Sequence, residues 1–129
     1  VGVRGPIHCT GVGKAIAAYL EEEKVEQIVE TNGLPKQTEN TITDFKELKN
    51  NLVKKKKKGY AVDNVENEPG IRCVAAPIFN YNGEVIASIS ISGPTMRVTK
   101  DQMEELGRLV RETGLQISKQ LGYRLGDRS

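Results

Sequence analysis

The chain has 129 residues, a length that suits one domain with one modest core. Hydrophobic residues make up 37% and charged residues 28%, a balance that excludes a disordered chain and, with only short apolar stretches, a membrane-spanning helix. The 19 basic and 17 acidic side chains leave a net charge of +2, too weak a whole-molecule field to point to nucleic acid.

Thr10 and Gly11 can open a helix, and Val12, Ala15, Ile16, Tyr19 and Leu20 follow at helical spacing, which predicts a first helix over about residues 11–20. Glu21, Glu22 and Glu23 suit the start of a second, which carries Val25, Ile28 and Val29 before Asn32-Gly33 ends it. Thr43 reads as the N-cap of a third, with Asp44 in its first turn and Phe45, Leu48 and Leu52 on one face up to Gly59. The period then changes. Residues 60–65, 73–79 and 85–92 are rich in β-branched residues or alternate, and Asn82-Gly83 between the last two is a hairpin signal. In the last strand alternation sends Ser88, Ser90 and Ser92 to one face and Ile89 and Ile91 to the other. Thr99 to Gln102 has the form of a capping box. Met103, Leu106, Val110, Ile117 and Leu121 then carry one apolar face to Gly122. Helices on both sides of an antiparallel hairpin predict an α+β fold with helices packed on the sheet.

Four features invite a chemical reading. Lys54 to Lys58 is a run of five lysines; it ends a helix, has no aromatic residues interleaved, and reads as a solvated face rather than a nucleic-acid site. The only histidine, His8, and the only cysteines, Cys9 and Cys73, lack metal-ligand spacing, and Cys73 opens an apolar strand where a thiol is usually inert packing. Gly11-Val12-Gly13-Lys14 is a fragment of a phosphate loop without its upstream glycine or its Ser/Thr, which leaves a helix start able to hold a small carboxylate. Asp63, Cys73, Ser90 and Ser92 lie on predicted strands, where hydroxyls, a thiol and a carboxylate can line either a polar pocket or a wet sheet face. No motif calls for a cofactor or a metal.

Pro6-Ile7-His8-Cys9-Thr10-Gly11-Val12-Gly13-Lys14-Ala15 resembles the PLHATALGKA signature of the effector domain of IclR-type bacterial transcription regulators. Gly59-Tyr60-Ala61-Val62-Asp63, residues 73–79, and Ser90-Ile91-Ser92-Gly93-Pro94 with Arg97 resemble the family's later motifs in order, and Leu121-Gly122-Tyr123 is typical of its end. The resemblance covers nearly the whole chain. Cys9 stands where the family usually has alanine.

The resemblance implies a GAF-like sensor domain that is not an enzyme. Its effector pocket is expected at Gly11 and Val12, whose backbone N–H groups meet a ligand carboxylate, and at Asp63, Cys73, Ser90 and Ser92, which line the pocket. It implies a small organic acid as effector, a homodimer or homotetramer, and a transcription regulator such as a repressor; with no secretory signal at Val1 to Pro6 and only short apolar stretches, the expected location is the cytoplasm, with no membrane contact. DNA would be reached only through a winged helix-turn-helix, which the resemblance puts ahead of this chain. The chain is thus expected to be a single effector-binding domain truncated at its start, its sheet narrow or completed by a partner chain. The alternative from the residues alone is a hydrolase using Cys73 as nucleophile.

Overall fold

A computed structural model of the chain describes residues 8–124. The first helix, α1, spans Gly11–Ala17; Thr10 caps it, its hydroxyl oxygen accepting from the Gly13 amide at 3.0 Å. It stops short of the predicted residue 20. The amides of Tyr19 and Leu20 bond back only three residues, to Ile16 and Ala17, so the apolar stripe ends in a tight turn. α2 spans Glu22–Asn32 with Glu22 and Glu23 in its first turn, and Gly33 ends it at φ +71°. α3 spans Phe45–Lys58, and its cap is Asp44 rather than Thr43. Asp44 has extended backbone and its carboxylate accepts from the Glu47 amide at 3.1 Å. Gly59 closes the helix in the left-handed conformation, φ +81°.

Three strands follow: β1 (Ala61–Asn64), β2 (Ile71–Phe79) and β3 (Val85–Pro94), an antiparallel sheet in the order β1-β2-β3. The hairpin forms where Asn82-Gly83 predicts it, but over a longer loop: the Asn80 side-chain oxygen accepts from the Asn82 and Glu84 amides, and Gly83 takes φ +79°. A short 3₁₀ turn, Lys100–Gln102, carries the predicted Thr99/Gln102 capping box and leads into α4, Met103–Gln120.

The sheet separates two helical layers. On one face Val74, Ala76, Ile89 and Ile91 meet Tyr60, Met103, Leu106 and Val110. α4 lies close enough that a Cβ at Gly107 would sit 2.4 Å from the Tyr60 ring, and one at Gly114 would sit 2.8 Å from the Pro77 carbonyl oxygen. On the other face α1 rests on small residues, with Ala15 against Ala61 and Ala75. Beyond it α2 and α3 close a core of Ala17, Ala18, Val25, Ile42, Leu48 and Leu52, each larger aliphatic group contributing roughly 1.5–3 kcal/mol on burial. At the far end of β2, Phe79 lies edge-on to Tyr19, centroids 5.1 Å apart, and stacks on Tyr123 at 4.8 Å. No described helix is long and apolar enough to cross a membrane.

Candidate functional site

Register builds the site. Asp63 pairs with Cys73 and Cys73 with Ser92, so these three form one row across the sheet. Ser90 stands in the next row on the same face, opposite Ala75. The start of α1 lies over this face, where a Cβ on Gly11 would be 2.8 Å from the Cys73 sulfur. Glycine at position 11 is therefore required by close approach to the strand, a different reason from the phosphate-loop likeness that drew attention to it.

The six candidate residues form a gradient of exposure. Gly11, Asp63 and Cys73 are buried, Val12 is 39% exposed, and Ser90 and Ser92 are exposed on the edge strand. The hydroxyls form an open wall beside a closed floor. Burial pushes the Cys73 thiol up to about 11, the Asp63 charge adds to this, and hydrogen bonds from the Ser90 side chain and the Gly11 backbone oppose it. Burial also raises Asp63 above the ordinary carboxylate range; the Glu66 amide, which donates to Asp63 Oδ1 at 2.7 Å, opposes that rise and the Glu66 charge reinforces it.

The geometry bears on the rival chemistries in turn. A thiol with a pKa near 11 is protonated at neutral pH and is a poor nucleophile. His8, the one histidine, bonds through Nε2 to the Pro35 carbonyl at 2.8 Å. Among the described residues no group of three or more His, Cys, Asp or Glu side chains can hold a metal. Lys14, which a phosphate loop would aim at its ligand, is fully buried, donating to the Val62 carbonyl at 3.2 Å and pairing with Glu66.

That buried pair is what the sequence reading missed. Lys14 falls three residues after Gly11 and three before Ala17, on the small-residue face of α1 that packs inward, and a lysine there was the available signal. Glu66 gave none. It is turned inward because Val65 adopts φ +58°, rare for a β-branched residue, and Glu66 Oε2 then accepts from the Asn64 amide at 3.0 Å. Thr38 and Thr41 fasten this turn through hydrogen bonds to the Val65 and Glu66 carbonyls. Cys9 donates to the Asn67 side-chain oxygen at 3.4 Å, and burial lifts its thiol to about 11. The whole arrangement pins the start of α1 to the end of β1.

Two depressions lie away from this row. An apolar groove of about 450 Å³ runs between α1, α2 and α3, lined by Leu20, Val25, Leu52 and Val53 with lysines at its rim. A basic cleft of about 540 Å³ lies between the end of α3 and α4.

Comparison with known proteins adds to the geometry. Residues 1–119 match the family model described as the C-terminal region of the bacterial transcriptional regulator IclR. The HTH-type transcriptional repressor AllR of Salmonella typhi is 41% identical over 124 residues, which cover 96% of this chain and 46% of the repressor. The C-terminal domain of the E. coli transcriptional regulator KdgR superposes with a TM-score of 0.84 at 37% identity, over 95% of this chain and 75% of that one. The inducer-binding domain of PobR from Acinetobacter, a double mutant in complex with 3-hydroxybenzoic acid, gives a TM-score of 0.81 at 28% identity, over 92% of this chain and 68% of that one. The chain spans about half the length of the curated relatives it matches.

Proposed function

Since the chain belongs to the IclR family of bacterial transcriptional regulators, as their C-terminal domain, we propose that it senses a small organic acid for a cytoplasmic repressor of this type. The effector site is the face formed by Asp63, Cys73, Ser90 and Ser92 beneath the start of α1. The observation that carries this is the cross-strand row: buried Asp63 and Cys73 run into the exposed hydroxyls of Ser92 and, one row on, Ser90. In this reading the first-turn amides at Gly11 and Val12 take the carboxylate, and the serines meet a keto or hydroxyl oxygen. The hydroxylated acid bound by the PobR domain has that chemistry. Burial raises the Asp63 pKa, which favours the protonated form relative to an ordinary aspartate; when protonated, the carboxyl donates to an anionic ligand, and when ionised it repels one.

Family membership makes the chain part of a regulator and not an enzyme. Hydrolysis through Cys73 is discarded for the further reason that its thiol keeps its proton at neutral pH. In the whole protein the chain acts as a single effector-binding domain that reaches DNA through a helix-turn-helix domain. Effector binding shifts the arrangement of a homodimer or homotetramer to the extent that the effector prefers one arrangement. The test is a thermal-shift screen of small keto, hydroxy and aromatic carboxylates. A specific ligand at a hundred times its Kd adds about 2.7 kcal/mol of stability. The shift should vanish in Ser90→Ala and Ser92→Ala. A panel of such acids without any shift would remove the reading.

A further inference from the structure

We infer that the basic cleft between α3 and α4 is a second ligand site, on the opposite side of the sheet from the serine row, built for a phosphoryl-bearing small molecule. Lys58, Lys100, Arg108 and Arg111 line it, Tyr60 and Met103 form an apolar wall, and among the described residues Glu104 is the one acidic side chain of the lining. Among the described residues, none of these four cations is within ion-pair distance of a carboxylate; the pairs there are Lys14 with Glu66 and Lys49 with Glu22. The cleft therefore concentrates positive charge that the fold does not neutralise, although the whole chain carries only +2.

Part of the cleft is already held in place. Arg111 donates from Nη1 to the Lys58 carbonyl at 3.2 Å, and its stem fills the space beside Gly59, where a Cβ would lie 2.6 Å from its Cδ. Lys58 Nζ lies 5.9 Å from the Tyr60 ring centroid, at cation–π distance. Arg108 is one turn before Arg111 on α4, so both guanidinium groups reach the same cleft. Paired guanidinium forks match the several equivalent oxygens of a phosphoryl group, and lysines add charge without demanding a geometry. A cleft of about 540 Å³ is large enough to admit a phosphate ester or diphosphate. The lysine run, which the sequence marks as a solvated face, gives its last member to this cleft.

The test follows backbone amide shifts of the 129-residue chain during titration with inorganic pyrophosphate, and in parallel with a short DNA duplex. Saturable shifts are expected at Gly59, Tyr60 and residues 100–111, with pyrophosphate binding weakened about tenfold or more in Arg108→Gln. Arg108 is exposed, so this variant keeps the fold. Ser90→Ala should bind pyrophosphate like the parent, which separates this site from the effector site. The inference is overturned by unshifted amides, by shifts centred on residues 54–57, by unchanged affinity in Arg108→Gln, or by tighter binding of the duplex than of pyrophosphate.

Discussion

Lys14 places a full positive charge where solvent does not reach, and its stability rests on Glu66 and the Val62 carbonyl. Removing one member of such a pair leaves the other unpaired in a poor dielectric. Lys14→Met is therefore expected to lower stability by about 3–5 kcal/mol in urea denaturation, and Lys14→Met with Glu66→Gln to recover part of the loss. Asp63 makes a different prediction. Its folded pKa is raised, so the native state holds this proton to higher pH than the unfolded chain does. Stability falls as pH rises from the ordinary aspartate value through the folded one, and stays reduced above it. Asp63→Asn retains an oxygen for the Glu66 amide and removes that cost. Its melting temperature should exceed the parent's by more at neutral pH than at a pH below the carboxylate range. At Cys73, labelling by a thiol reagent should be slow at neutral pH and accelerate as pH climbs toward about 11.

At the scale of elements, the start of α1 is the critical junction. Gly11→Ala drives a methyl group to within 2.8 Å of the Cys73 sulfur, and a buried clash of this kind costs about 1–3 kcal/mol. Cys73→Ala should relieve most of it, so a double-mutant cycle by denaturation will show coupling of the two positions. Much of this architecture was legible in the sequence. Alternation in residues 85–92 placed Ser90 and Ser92 on one face, and β-branched richness or alternation found all three strands. Their row with Asp63 and Cys73 was not legible, because register depends on the turn through Val65 and Gly70, whose backbone conformations no periodicity reports. The end of α1 and the cap of α3 were misread for local reasons. Tyr19 and Leu20 continue the apolar spacing through a turn, and Thr43 and Asp44 are adjacent residues that both cap well.

At the scale of the whole fold, the three described strands form a sheet with two unlike faces, one sealed by α4 and one resting on α1 with the hydroxyls of β3 open. The sealed face should govern global stability. Gly114→Ala sets a methyl group against the Pro77 carbonyl, which is backbone and cannot turn aside. A loss of about 1–3 kcal/mol is expected, read as a melting point lower by several degrees. Family membership was legible from four ordered motifs and rests on the match across residues 1–119. The basic cleft was not, since Lys58 and Lys100 are far apart in sequence and meet the arginines of α4 only in the fold.

The aromatic stack at the end of β2 gives the chain an optical gauge. It has no tryptophan and four tyrosines, and two of these, Tyr19 just after α1 and Tyr123 just after α4, touch the same Phe79 ring. Near-ultraviolet circular dichroism of an asymmetric ring cluster depends on the spacing and tilt of its members. A ligand that displaces α1 changes the Tyr19 side of the cluster, while one seated against α4 leaves that side alone. The two classes of ligand should thus be told apart by their spectra, without a label and without mutation.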